Sequence, residues 1–146
     1  MSEQHDFSTA DLIDIAPDTP SCETQFHRFG RHRHFCGKIR TVKCARDNGL
    51  VKTLMNSHSE GEVLVVDGGG SLYSALMGDL IAGAGAANGW AGAVINGAIR
   101  DSEAINTMPF GVKALGTNPR KSAKAGAGEV DITVSFGGVD FIPGHY

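Results

Sequence analysis

The chain contains 146 residues and has a mass of 15.3 kDa, which fits a single domain over residues 1–146 with its own hydrophobic core. Its 16 acidic and 13 basic residues give a net charge of −3, which disfavours nucleic acid or an anionic membrane surface as a partner. No apolar stretch approaches the roughly 20 residues of a membrane span, and the N-terminus lacks the pattern of a signal peptide. The three cysteines have no Cys-x-x-Cys spacing, which favours reduced thiols in the cytoplasm.

The first segment of the chain predicts a short helix followed by irregular structure. Ser8 and Asp11 have the spacing of a capping box, and Pro17 lies just beyond the end of the predicted helix. Residues 20–36 have no clear hydrophobic period and are predicted to be irregular.

The next segment predicts alternating strands and helices. Residues 37–44 contain β-branched residues in alternation and predict a strand, whereas residues 50–58 carry a helical apolar stripe. Residues 63–66 form a continuous apolar run of the kind that is buried on both faces of a sheet. Residues 71–78 predict a further short strand.

The remainder of the chain continues this alternation and ends in β structure. We predict helices over 79–88 and 101–108, strands over 91–99 and 111–118, and a hairpin over 130–144 that turns at its Gly-Gly pair. The pattern as a whole indicates an α/β domain with a mixed sheet.

The start of the helix predicted over 79–88 is a candidate anion site formed by Gly78, Asp79, Leu80 and Ile81. The first turn of a helix carries unpaired N–H groups and a partial positive charge. Gly78 allows a ligand to approach the backbone closely. We therefore expect these residues to bind the carboxylate of a substrate.

Arg100 and Asp101 follow the second buried strand, and ligands of α/β sheets collect at the carboxyl ends of strands. Arginine binds a carboxylate through two parallel hydrogen bonds, and aspartate holds a hard divalent cation. Together they suit a 2-oxo acid, with its carboxylate on Arg100 and its keto oxygen on a metal held by Asp101. Such a metal stabilises the enolate formed when the adjacent carbon–carbon bond breaks. This is aldol cleavage without a Schiff base, and oxaloacetate decarboxylation uses the same enolate chemistry.

Structural roles for the same residues are the alternative. Asp79, Asp101 or Ser102 can serve only as helix N-caps, and Arg100 can serve only as a partner in an ion pair. On spacing alone, both interpretations stay open.

Other motifs are weaker. The Asp-Gly-Gly-Gly-Ser segment at 67–71 lacks the third spaced glycine of a dinucleotide site and the Gly-Lys-Ser/Thr of a P-loop, and predicts a turn. His32 and His34 are flanked by arginines, which oppose a bound cation, so a solvated loop is expected. For Arg120 and Lys121 there are two interpretations: they belong to a surface loop without a role in binding, or they guide an anionic substrate to the site.

Four segments resemble the family of regulator of ribonuclease activity A and the 4-hydroxy-4-methyl-2-oxoglutarate aldolases. They read VLVVDGGGSLYSALMGDLIA, NGWAGAVINGAIRD, FGVKALGTNPRKS and FGGVDFIPG, and they occur in the family's order. The resemblance runs from Thr9 to Tyr146. It implies a swivelling β/β/α fold with a mixed sheet, and a homotrimer with each site at a subunit interface.

The aldolases of this family share an Asp, twenty intervening residues, and then Arg-Asp. Asp79, the twenty residues 80–99, and Arg100-Asp101 match that pattern. The resemblance implies that residues 78–81 and Arg100 bind the pyruvate-like portion of the substrate. It further implies that Asp101 helps to hold Mg²⁺ or Mn²⁺, mostly through water, and that Asp79 orients a water that shuttles the proton.

The resemblance leaves two functional classes open. One is a cytoplasmic, metal-dependent aldolase that releases pyruvate, with oxaloacetate decarboxylation as a side activity. The other is a regulator that binds and inhibits ribonuclease E, and the GTNPRKS stretch is similar to that branch. The intact Asp79 and Arg100-Asp101 set favours the enzyme. The family usually continues past the positions of His145 and Tyr146 into an acidic strand, whose roles are not carried over to this sequence.

Overall fold

The computed structural model describes residues 8–146. Within that range the helices are α1 (Thr9–Ile15), α2 (Gly49–Met55), α3 (Asp79–Ala87) and α4 (Ser102–Ile105). The strands are β1 (His27–Phe29), β2 (Ile39–Lys43), β3 (Val63–Asp67), β4 (Ala75–Met77), β5 (Gly92–Ile99), β6 (Gly111–Thr117), β7 (Glu129–Val130), β8 (Val134–Phe136) and β9 (Val139–Phe141). The longest of these helices, α3, has nine residues, and none in the described range has the length and hydrophobicity needed to cross a bilayer.

Seven strands form one mixed sheet in the order β1-β6-β5-β3-β2-β7, with β4 beside β5. The inner strands β2, β3, β5 and β6 are parallel, whereas β1 and β7 pair antiparallel at the two edges. The predicted α/β class with a mixed sheet is therefore confirmed.

β3 and β4 lie along the same side of β5, one after the other. β3 pairs with β5 as far as Asp67 opposite Asn96, and the chain then turns away. A Cβ atom on Gly68 would lie 2.5 Å from Leu76 Cδ1 and 2.9 Å from the Asn96 carbonyl oxygen. Only glycine fits this crossing without displacing its neighbours.

The position of β4 brings two chain segments together at its carboxyl end. Met77 lies opposite Ile99 in a parallel register, and the Arg100 N–H donates to the Met77 carbonyl at 2.9 Å. Because both strands end at this level, Gly78 and Arg100 become neighbours.

The sheet is covered on both faces, which explains the continuous apolar run of β3. Leu64 and Val66 belong to the core cluster shared with α2 and α3. Val63 and Val65 instead pack with Val134 of the β8–β9 hairpin. Since successive side chains of a strand point to opposite faces, the fold has three layers: helices, a large sheet and a small one.

The glycine-rich helix α3 depends on close packing rather than on intrinsic helix propensity. A Cβ atom on Gly85 would lie 2.5 Å from Met55 Sδ and 3.2 Å from Phe110 Cζ. Gly85 therefore lets α3 approach α2 and the core, and this contact stabilises the helix.

Two edge strands depart from the sequence prediction. Within 20–36, predicted to be irregular, His27–Phe29 pairs with β6. The hairpin predicted over 130–144 is confined to 134–141, because Glu129–Val130 pairs with β2 instead. Both strands are too short to show a period, and tertiary pairing decides their conformation.

One ion pair ties this terminal region to β2 and predicts an effect of pH on stability. Arg40 Nε and NH2 donate to Asp131 Oδ1 and Oδ2 at 3.0 and 2.9 Å. The hydrogen bond from Arg40 lowers the pKa of the Asp131 carboxyl. We expect Asp131→Asn to lower the free energy of unfolding at pH 7 by about 0.5–1 kcal/mol, a small value because the pair is partly exposed. Asn also accepts the left-handed backbone at this position (φ 57°).

The pH dependence follows from the depressed pKa in the folded state. The carboxylate contributes stability above its ordinary pKa of about 3.9, and that contribution is lost as the pH falls through the lower folded value. In urea unfolding, the parent should therefore have a higher free energy of unfolding than Asp131→Asn at pH 7. This difference should become smaller below pH ~4. Asp18→Asn, a change at an exposed carboxylate, serves as the control. An equal difference in the free energy of unfolding at low pH would contradict this role of the Arg40–Asp131 ion pair.

Candidate active site

The structure brings Gly78 and Asp79 together with Arg100 and Asp101 at the carboxyl ends of β4 and β5. The Asp79 N–H donates to Asp101 Oδ2 at 3.2 Å. A Cβ atom on Gly78 would lie 2.8 Å from Asp101 Oδ2 and 3.3 Å from Arg100 Nε. A cation, a carboxylate and the start of α3 thus meet around a glycine.

Asp101 directs its carboxylate to α3 rather than to α4. It occupies the position before α4 but makes no side-chain cap there, and its backbone is left-handed (φ 54°, ψ 39°). Aspartate tolerates this conformation better than most residues. The carboxylate is stabilised by the positive end of α3, so the alternative role of Asp101 as a side-chain cap for α4 does not agree with the structure.

Arg100 lies at the side of the site with its side chain one-third exposed (33%). Its Nε is 3.7 Å from Asp101 Oδ2, and its NH1 donates to the Pro119 carbonyl at 3.4 Å. Both contacts are long for hydrogen bonds of a charged group. The guanidinium, with five N–H donors, therefore keeps the capacity to bind a carboxylate.

The remaining residues of the predicted anion site behave differently from one another. The Leu80 N–H donates to Asp79 Oδ1 at 2.8 Å, and the Leu80 side chain is 84% exposed. Ile81 is only 7% exposed and belongs to the core, so it offers a ligand its backbone alone. The N–H groups of Asp79 and Leu80 already donate to the carboxylate oxygens of Asp101 and Asp79. A substrate carboxylate would have to replace one of these two acceptors.

The loop after β6 borders the site through Asn118 and Pro119, two residues that the sequence prediction did not name. The Asn118 N–H donates to the Ile99 carbonyl at 2.9 Å, and Asn118 Nδ2 donates to the Leu72 carbonyl at 2.7 Å. These bonds hold the Pro119 carbonyl against Arg100. An Asn-Pro pair directly after a buried strand is the signal that points to this loop.

The glycine-rich segment at 67–71 forms a self-contained turn. The Gly69 N–H donates to Asp67 Oδ1 at 2.9 Å. The N–H groups of Gly68 and Gly70 donate to the Asn96 carbonyl at 3.0 and 3.1 Å. These internal hydrogen bonds form the turn that the sequence predicted for this segment.

The donor set suits a hydrated hard cation. Within residues 8–146 no three His, Cys, Asp or Glu side chains cluster as a metal site. Asp101 uses Oδ2 for the Asp79 N–H, and no described hydrogen bond occupies its Oδ1. Mg²⁺ usually keeps several waters and binds through one or two carboxylates. The residues present therefore fit a mostly water-coordinated Mg²⁺ or Mn²⁺ on Asp101.

The cysteines take no part in this site. Cys44 is buried, and Cys22 and Cys36 are half-buried free thiols. Burial, together with the nearby carboxylates of Asp47 and Asp67, raises the pKa of the Cys44 thiol to about 11. Cys44 consequently stays protonated and unreactive at neutral pH.

Comparisons with known proteins identify relatives of this fold. The family described as RraA-like, Aldolase/RraA, matches residues 9–146. The chain is similar to a structure described as S-adenosylmethionine: 2-dimethylmenaquinone methyltransferase from Geobacillus kaustophilus HTA426. The identity is 46% and the TM-score 0.92, with 94% of this chain and 86% of that chain covered.

Two further structures are named for RraA. One is the RNA-processing inhibitor RraA from Thermus thermophilis, with 41% identity, a TM-score of 0.92, and 96% of this chain and 85% of that chain covered. The other is Streptomyces coelicolor RraAS2, described as an unusual member of the RNase ES inhibitor RraA protein family. Its 24% identity and TM-score of 0.65, over 92% of this chain and 70% of that chain, show the shared fold alone. The family match across residues 9–146 shows that this chain belongs to the RraA-like family.

Proposed function

We propose that the protein is a divalent-metal-dependent aldolase that releases pyruvate from 2-oxo acids of the 4-hydroxy-4-methyl-2-oxoglutarate type. The observation that carries this proposal is the meeting of Asp79, Arg100 and Asp101 at one point. There Asp101 Oδ2 lies 3.2 Å from the Asp79 nitrogen and 3.7 Å from Arg100 Nε. Membership of a family described as Aldolase/RraA supports it.

Substrate binding depends on Arg100 and the start of α3. The guanidinium pairs with the C1 carboxylate of the 2-oxo acid. Asp101 would hold the divalent cation through Oδ1, while the substrate carboxylate would replace Asp101 Oδ2 as the acceptor of the Asp79 N–H. That amide then donates to the substrate carboxylate, aided by the positive end of the helix.

Carbon–carbon cleavage requires an electron sink and a proton carrier. The cation that Asp101 would hold would supply a Lewis acid for the keto oxygen. A water oriented by Asp79 accepts the proton of the C4 hydroxyl as the C3–C4 bond breaks, and a proton is then returned to C3 of the pyruvate enolate. Oxaloacetate loses CO₂ to give the same enolate, so slow decarboxylation is expected as a side activity.

The decisive assay measures pyruvate release from 4-hydroxy-4-methyl-2-oxoglutarate with and without EDTA. The proposal requires activity that EDTA abolishes and that Mg²⁺ or Mn²⁺ restores. Undiminished release in EDTA would exclude the metal-dependent reaction. No release under any condition would exclude the aldolase.

In the same assay, Arg100→Ala is expected to raise KM about 10- to 100-fold, because a charge-assisted hydrogen bond pair to the carboxylate is lost. Steady-state kinetics over a range of substrate concentrations measures the effect. Lys52→Ala, which removes an exposed cation from α2, is the matched control and should leave KM unchanged. An unchanged KM for Arg100→Ala would remove Arg100 from the site.

A regulator that binds ribonuclease E is the second candidate, supported by the name of the Thermus relative at 41% identity. Pull-down of purified ribonuclease E with the parent protein and with Arg100→Ala separates the two. Binding by both proteins, with no pyruvate release by the parent, would establish the regulator instead.

A further inference from the structure

Asn118, which follows β6, joins three segments of the candidate site through hydrogen bonds. Its N–H donates to the carbonyl of Ile99, the residue before Arg100, at 2.9 Å. Its side-chain Nδ2 donates to the Leu72 carbonyl at 2.7 Å, in the segment that leads into β4. Its Oδ1 accepts the Arg120 N–H at 2.9 Å. Both polar atoms of the side-chain amide are therefore used, one as a donor and one as an acceptor, and an aspartate could not supply that donor.

The hydrogen bond between Asn118 Oδ1 and the Arg120 N–H fixes the direction of the Pro119 carbonyl. This N–H and this carbonyl belong to the same trans peptide unit, which is rigid and planar and in which the two groups point in opposite directions. The ring of Pro119 also restricts its φ angle to about −65°. The side chain of Asn118 thus closes an Asx turn that holds the Pro119 carbonyl 3.4 Å from Arg100 NH1.

The Pro119 carbonyl is one of two groups that orient the guanidinium of Arg100. It accepts from NH1, and Asp101 Oδ2 lies 3.7 Å from Nε. An arginine side chain has many rotamers, so a ligand that has to order it binds more weakly. Because a carbonyl is neutral, it orients the guanidinium and leaves the positive charge for the carboxylate of a ligand.

The loop that carries this carbonyl is anchored on β4. The Arg120 carbonyl accepts the Ala75 N–H at 2.8 Å, and the buried Ser122 donates from Oγ to the Ala75 carbonyl at 2.7 Å. Since β4 leads directly into Gly78, these bonds fix the loop relative to the start of α3. The contact partner of Arg100 is thereby held in register with the rest of the site.

We propose that Asn118 is a positioning residue for carboxylate binding. Through the Pro119 carbonyl, it holds Arg100 in the orientation that receives the carboxylate of the 2-oxo acid. This inference rests on the proposed function and adds to it a residue that acts on the substrate only through Arg100.

Asn118→Ala tests the inference in the pyruvate-release assay at saturating Mg²⁺. The substrate itself then has to order the guanidinium of Arg100, so KM should rise about 3- to 10-fold. The value of kcat should change less than about twofold, because the lost contribution is to binding. A merely structural role would give the opposite pattern, since unfolded enzyme lowers the apparent kcat and leaves KM unchanged. Asn118→Ser, whose hydroxyl can accept the Arg120 N–H, should restore part of the parental KM.

Asn88→Ala is the matched control. Asn88 is also a half-buried asparagine, and its Nδ2 donates to the Met55 and Ala84 carbonyls at the end of α3 that is remote from Gly78. This variant should have a lower melting temperature and the parental KM.

The double variant Arg100→Ala/Asn118→Ala shows whether Asn118 acts through Arg100. Its KM should equal that of Arg100→Ala alone, because the effects of residues in one network are not additive. If Asn118→Ala does not fold, Asn118→Ser should still raise KM at least about twofold.

An unchanged KM in a folded Asn118 variant overturns the inference, and so do KM effects that multiply in the double variant. EDTA-sensitive pyruvate release by the parent then still supports the aldolase. A parent without metal-dependent release overturns both the inference and the proposed function.

Discussion

An Asp101→Asn variant is expected to release pyruvate about 10²- to 10³-fold more slowly than the parent in saturating Mg²⁺. The change removes the negative charge that the proposed cation requires and keeps the shape of the side chain. Asparagine also tolerates the left-handed backbone of position 101. The amide oxygen can still accept the Asp79 N–H, so the fold around α3 should be preserved.

The measurement is the rate of pyruvate release as Mg²⁺ is increased, together with the melting temperature of each protein. Glu103→Gln is the matched control, because Glu103 is a carboxylate in the first turn of α4 that is not part of the site. It should keep the parental rate and metal dependence. A parental rate for Asp101→Asn, or an equal loss for Glu103→Gln, would refute the role of Asp101.

A Gly78→Ala variant is expected to lower kcat/KM for pyruvate release about 10- to 100-fold with little change in stability. The added Cβ atom would lie 2.8 Å from Asp101 Oδ2 and 3.3 Å from Arg100 Nε. Both side chains must shift to admit the methyl group, so the carboxylate and the guanidinium lose their relative positions. The backbone at Gly78 is extended (φ −122°, ψ −166°), which alanine adopts without strain.

Gly83→Ala provides the control within the same helix. A Cβ atom there meets only Met108 Cε at 3.8 Å, an ordinary van der Waals contact. We expect full activity and a gain in the free energy of unfolding of about 0.5–1 kcal/mol, since alanine favours the helix over glycine. Steady-state kinetics and thermal unfolding of Gly78→Ala and Gly83→Ala check these expectations. Parental kinetics for Gly78→Ala would show that space at Gly78 is not required.

Local pattern in the sequence was sufficient for the central elements. The apolar run at 63–66 predicted β3, and the Ser8 cap predicted α1, whose Asp11 N–H donates to Ser8 Oγ at 3.1 Å. The Gly137-Gly138 pair predicted the β8–β9 turn, where both glycines have positive φ. These features are determined by neighbouring residues, through hydrophobic period, capping and turn conformation.

The candidate site was predicted as a set of residues, but their arrangement was not. Asp79 and Arg100-Asp101 follow from their positions after two apolar strands and from the family pattern. That Asp101 reaches back to α3, and that the Ile81 side chain is buried while that of Leu80 is exposed, depends on how β4 lies beside β5.

The sequence by itself determined the central strands and helices, and which charged residues follow the buried strands. Only the tertiary structure decided the edge pairings of β1 and β7 and the stacking of Arg46 and Arg120 on Tyr73. The physical reason is that a sequence pattern reflects interactions between residues near each other in the chain, whereas these contacts join residues far apart in it. Hydrophobic period reports which face of one element is buried. Contacts between residues 46, 73 and 120 instead depend on the order in which β2, β4 and β6 lie in the sheet, because these residues flank those three strands.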